Sequence, residues 1–153
     1  MNYVTRVLQP GENVIHVTRM HPIIFLPAIF WLVAALAMLI AGLSLNGDLR
    51  IAGEALAAFF GIFALAAAIP ALIRRGTTEL AVTDRRVIYK SGIISRHTLE
   101  MNRSKVESVD VDQSLMGRFL GFGTIVVRGT GGSLEPIRMI SDPLSFRSHI
   151  TAG

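Results

Sequence analysis

The chain has no cysteine. Disulfides, thiolate zinc sites and cysteine nucleophiles are therefore excluded, and the composition suits a reducing compartment. Aromatic residues are sparse, with one Trp, two Tyr and eight Phe, which leaves few platforms for stacking nucleic-acid bases. Charge is missing altogether from two stretches, Ile23 to Leu43 and Ala55 to Ile73. Catalytic signatures are missing too. There is no G-x-S-x-G elbow and no Walker G-K-[S/T]. The four histidines, His16, His21, His97 and His149, lack metal-ligand spacing. No cofactor, metal or enzymatic activity is expected.

The two uncharged stretches are the dominant feature. At a rise of 1.5 Å per residue, about 20 helical residues cross the roughly 30 Å hydrocarbon core of a bilayer. Two such runs, joined around Ser44-Leu45-Asn46-Gly47-Asp48-Leu49-Arg50, read as a transmembrane helical hairpin. A signal peptide has a shorter apolar region; here a lead precedes the first run and a second run follows. Basic residues flank the hairpin: Arg6 and Arg19 before it, Arg74, Arg75, Arg85, Arg86 and Lys90 after it, whereas in the turn Asp48 offsets Arg50. Lys and Arg favour the cytoplasmic side, so a multi-pass membrane protein with both termini cytoplasmic is expected. No ionisable residue lies deep in either run, and Glu54 sits at the outer edge, which argues against an ion pathway through one copy. Ala34, Ala37 and Ala41 in the first run, and Ala57, Gly61, Ala64 and Ala68 in the second, recur at helical spacing. Such small residues let helices approach closely in lipid, within the hairpin or against a partner helix.

Three segments result: a cytoplasmic lead over 1–21, the hairpin over 22–73 and a soluble domain over 74–153. The last holds 12 of the 15 Lys and Arg and 8 of the 11 Asp and Glu, a net charge of +4. Its pattern is short β-branched runs punctuated by turn residues. Strands are expected over 77–83 (Leu80 and Val82 on one face), 86–90, 93–101, 106–111 (Val109 and Val111 on one face), 123–128 and 134–140. Ser141-Asp142-Pro143 reads as a helix start, with Leu144, Phe146 and Ile150 on the apolar face. The expected fold is membrane α + β: the hairpin, then a small bent antiparallel β-sheet or barrel closed by a C-terminal helix.

Specific runs then carry a resemblance. Thr77-Thr78-Glu79-Leu80-Ala81-Val82-Thr83-Asp84-Arg85-Arg86-Val87-Ile88 resembles the opening of bacterial pleckstrin-homology (PH)-like domains. Gly92-Ile93-Ile94, Lys105-Val106-Glu107-Ser108-Val109, and Gln113-Ser114 through Gly117-Arg118-Phe119-Leu120-Gly121-Phe122-Gly123-Thr124 continue the pattern, and Leu8-Gln9-Pro10-Gly11-Glu12 is similar to its N-terminal lead. With the hairpin, the whole resembles the YdbS-type bacterial membrane proteins. That resemblance implies a seven-stranded bent sheet with a C-terminal helix, a bacterial inner-membrane location and no enzyme activity. It selects no ligand, because one fold hosts many functions.

Several polar sets invite a functional reading. Gly117, Gly121 and Gly123 miss the dinucleotide fingerprint, since Val126 stands at the last glycine position; they are expected to supply positive backbone dihedrals at a turn. Asp110 and Asp112 share a strand face without nearby ligands, so a solvated strand end is expected. The basic residues Arg85, Arg86, Lys90, Arg96, Arg103 and Lys105 are the candidate site. If they converge at one rim, they suit a partner or an anionic lipid headgroup, although Asp84, Glu100 and Glu107 are near enough in sequence to pair with them. Nucleic acid is not an expected partner. The leading expectation is an interaction module that binds another membrane protein or a second copy beside the bilayer. Recognition of anionic lipid and a role as a channel or transport subunit are the alternatives.

Overall fold

The computed structural model describes residues 3–92, 97–130, 132–133 and 136–152. They form two compact units. One is Pro22–Ile73; the other joins the chain up to His21 with the chain from Arg74 onward.

In the first unit a turn of 3-10 helix, Pro22–Phe25, leads into α2, Leu26–Leu43, with α1 assigned to Tyr3–Val7 in the lead. Pro27 occupies the first turn of α2, where its missing N–H would have no intrahelical partner. Gly47, at φ +62°, turns the chain into α3, Asp48–Thr77. Both helices are long and apolar enough to cross a membrane, with mean hydropathies of 2.8 and 2.4 and only 11% and 17% of those windows buried. What is buried is small. Ala28, Ala35 and Gly42 of α2 and Ala57, Ala64 and Ala71 of α3 recur every seventh residue, as a seam between two helices requires. At Gly53 a Cβ would stand 2.6 Å from the Gly42 Cα, so these backbones touch. Trp31 stacks on Phe60 at 5.6 Å. Of the expected small residues, Ala57 and Ala64 are on this seam, whereas Ala37 and Ala41 are exposed; a seven-residue period separates these positions where helical spacing alone does not.

The second unit is built from strands. β1, Val14–Thr18, β2, Glu79–Thr83, β3, Arg86–Ser91, and β4, His97–Asn102, form one antiparallel sheet in that order. β5, Val106–Asp112, pairs with β6, Phe122–Gly129; β6 pairs in turn with β7, Gly132–Ser133, and β8, Ile137–Ser141. Two four-stranded sheets therefore replace the expected single bent sheet or barrel. The ladder breaks where a 3-10 turn, Arg103–Lys105, separates β4 from β5. The end of β1 and the stretch after it link the sheets: Met20 bridges Ile140, the Ser141 amide donates to the Arg19 carbonyl, and the Thr18 hydroxyl donates to the Ser141 carbonyl.

The lead forms one compact unit with the chain from Arg74 onward and supplies an edge strand. It also covers a sheet face. Val4 of α1 packs on Ala81 and Ile88, which is why β2 is buried on both faces. The opposite face carries the main core, with Leu80, Val82, Val87, Val109, Ile125, Val127, Ile137 and Ile140 against Phe146 and Ile150. The last two come from α5, Pro143–Thr151, whose expected start at Asp142 is correct: that side chain accepts from the Ser145 amide. Leu144, expected on the buried face, is exposed. The expected strand beginnings at 93 and 134 lie outside the described residues.

A short helix was not anticipated. α4, Leu115–Leu120, is capped by Ser114, whose hydroxyl accepts from the Gly117 amide, and ends at Gly121 with φ +75°. Gly121 is the only one of the three motif glycines with a positive φ. At Gly117 a Cβ would meet the Phe122 carbonyl at 2.5 Å, so this glycine allows close approach instead.

Candidate functional site

Among the described residues the candidate basic residues do not form one rim. Arg86 pairs with Asn102 and Lys90 with Thr98 across β3 and β4. Four residues of strand hold Arg86 and Lys90 about 13 Å apart, toward opposite ends. Arg85 and Lys105 are exposed and Arg96 lies outside the described residues. Lys90 places its ammonium 5.4 Å from the centre of the Tyr3 ring, a cation–π contact. The Arg103 guanidinium donates to the carbonyls of Ile150 at 2.9 Å and His149 at 2.6 Å. It thereby satisfies the orphan carbonyls at the end of α5 and matches the helix dipole.

Arg86 is a structural residue. Its Nε and one terminal nitrogen grip both oxygens of Glu12 at 2.8 Å. It also donates to the Val7 carbonyl at 2.7 Å and to Glu100. Glu12 accepts further bonds from the Thr83 hydroxyl at 2.7 Å and the Gln9 amide at 2.8 Å. These bonds satisfy a buried carboxylate, whose side chain is wholly inaccessible. Hydrogen bonding from Arg86 holds the Glu12 carboxyl at about 2, below its ordinary 4.5, against the opposing effect of burial. The Glu12 bond in turn raises the Arg86 guanidinium above its ordinary value. The lead motif and the strand-turn motif are thus two halves of one ion pair. Asp110, by contrast, meets Arg128 at 3.1 Å with both side chains more than half exposed.

A groove lies at the same end of the domain as Arg85 and Arg103. It measures about 550 Å³ and is lined by Asp84, Arg103, Ser104, Val106 to Val109, Ile150 and Thr151. One wall is β5, which among the described residues pairs only with β6. The other is the end of α5. Sequence reasoning missed this feature because its walls come from segments about forty residues apart. It also missed a stacked histidine pair, His16 on β1 and His149 on α5, with ring centres 4.4 Å apart and planes 7° apart. Burial, then the neighbouring His149, lower the His16 value below its ordinary 6.5, while Asp142 opposes them.

Residues 22–152 match the model of the bacterial PH domain. The chain belongs to the bacterial PH domain family. No curated protein and no solved structure matches it. PH-like domains are generally non-catalytic interaction modules, and the match extends over both apolar helices and over β2 to α5, with β1 outside it. Within this PH domain the Thr83, Asp84 and Arg86 positions serve the fold: Thr83 joins Glu12, and Asp84 accepts from the Asn13 amide at 3.1 Å.

Proposed function

We propose that the chain is a non-enzymatic, membrane-anchored PH module that takes a peptide segment of another membrane protein as an added strand along β5. The carrying observation is the groove between β5 and α5, together with the pairing of β5 to β6 alone among the described residues. An extended peptide gains main-chain hydrogen bonds at such an edge and side-chain selectivity from the adjoining pocket. The groove volume suits a few side chains. Residues 22–73 serve as the anchor, a two-span hairpin in the bacterial inner membrane with both termini cytoplasmic. This is the arrangement of the YdbS-type proteins that the motifs resemble. Headgroup recognition by the six basic residues is a weaker reading, because Arg86 and Arg103 already hold internal partners.

The test is photocrosslinking in native membranes from a benzoylphenylalanine placed at Glu107. Recurrent adducts with one membrane protein, lost when Ser108→Trp fills the groove, support the reading. Adducts with a second copy alone assign the groove to self-association. Adducts unaffected by Ser108→Trp, or none, overturn it.

A further inference from the structure

α4 is built the wrong way round for a soluble helix. It faces the domain with Gly117, which is buried, and presents Leu115, Met116, Phe119 and Leu120 outward at 75%, 58%, 89% and 50% exposure. A surface helix in water ordinarily does the reverse. Its mounting is firm: besides the Ser114 cap, the Gln113 amide donates to the Phe122 carbonyl at 3.0 Å, and the Asp142 amide donates to the Gly121 carbonyl at 2.9 Å. The exposure is therefore a property of a fixed element.

Its position in the domain names the occupant. Both connections to residues 22–73 leave the domain at one end of the first sheet, because Thr18, near the outgoing chain, pairs with Leu80, near the returning chain. The outgoing residues run along β8: Met20 bridges Ile140 and the His21 amide donates to the Met139 carbonyl. The His21 ring lies 5.3 Å from that of Phe122, two residues past α4. The apolar helix thus stands where the chain departs for the candidate spans. The charge around it is basic by one, with Arg118 on α4 and exposed Arg138 and Arg19 on the adjoining segments, against exposed Asp112 and Asp142. Apolar side chains beside several arginines suit the boundary between acyl chains and anionic headgroups.

We propose that α4 is a lipid-contacting element, with Leu115, Met116, Phe119 and Leu120 inserted at the bilayer interface and Arg118 and Arg138 at anionic headgroups. The proposal rests on the membrane anchoring of residues 22–73, and the experiment separates the two. The cysteine-free chain accepts single labels. Full-length Phe119→Cys, Ala37→Cys and Ser108→Cys variants carry an environment-sensitive fluorophore in vesicles of mixed zwitterionic and anionic phospholipid. Part of the lipid bears a nitroxide on its acyl chain. The expected result is loss of most emission at positions 119 and 37, and none at 108. Quenching at 37 without quenching at 119 overturns the proposal alone. A blue shift at 119 without quenching, growing with protein density, also overturns it and assigns α4 to a second copy. Absence of quenching at 37 overturns the anchoring and this proposal with it.

Discussion

Residues 22–73 and the strands that follow apply opposite rules of burial. Between α2 and α3 the buried residues are Ala28, Ala35, Gly42, Ala57, Ala64 and Ala71, while Phe30, Ile40, Ile62 and Leu65 are more than half exposed. In the domain the largest buried side chains are Leu80, Ile88, Ile125, Ile140 and Phe146, and apart from the Glu12–Arg86 pair the charged side chains described are mostly exposed. In water large apolar side chains gain most from burial. In lipid they gain nothing by leaving an apolar surround, so contact between backbones decides what faces inward. The two regions thus carry the burial patterns that water and the proposed lipid surround would each select. α4 is the exception within the domain, with a glycine inside and phenylalanine outside.

The comparison can be broken from either side. Phe146→Ala removes a fully buried ring and should destabilise the domain by about 3–5 kcal/mol, read as a loss of thermal stability in the full-length protein. Ile62→Ala, deleting a branched apolar group from an exposed position in α3, should leave that stability unchanged.

Glu12→Gln should cost about 3 kcal/mol, because it removes the buried carboxylate that grips the largely buried Arg86 guanidinium and leaves it only the carboxylate of Glu100. The Glu12 value falls from 4.5 to about 2 on folding. Its contribution is therefore fully present above about 4.5 and is lost as pH falls through the folded value. The variant should flatten that part of the acid-unfolding curve. Gly53→Leu should cost about 1–3 kcal/mol by forcing α2 and α3 apart, measured as unfolding in mixed micelles.

A smaller effect follows from His16. Its folded value lies below the ordinary 6.5, so the unfolded chain binds the proton more readily. Stability is then fully present above pH 6.5 and declines as the pH falls below it. The groups facing His16 are His149, Asp142 and the Phe146 ring. His16→Gln should reduce this dependence between pH 7.5 and 5.5. Least of all, Asp110→Asn should change stability by no more than about 0.5 kcal/mol, since its partner Arg128 is exposed.

Much of the fold was legible because it depends on local pattern. Leu80 and Val82 alternate as a half-buried strand must, and Asp142-Pro143 marks the start of α5. α4 had a readable signature, Ser114 as cap and Gly121 past the end, but at six residues it has no periodicity to reinforce it. β1 alternates too briefly to be separated from a loop. The role of Arg86 was not legible at all. Its partner Glu12 stands 74 residues earlier, across the inserted apolar hairpin, and no local pattern reports such a pairing. The same holds for the candidate site: residues near in sequence, Arg86 and Lys90, are held apart by strand geometry, whereas the walls of the β5–α5 groove meet only in the fold.

The account depends most on residues 22–73 facing lipid. Single cysteines at Asn46, Ile62 and Ser108, probed with a membrane-impermeant maleimide, test it directly. Asn46→Cys should label in intact cells, Ser108→Cys only after lysis, and Ile62→Cys in neither unless the protein is denatured. Labelling of Ile62→Cys in the native protein, or of Asn46→Cys and Ser108→Cys only on lysis, would contradict a hairpin that crosses the membrane.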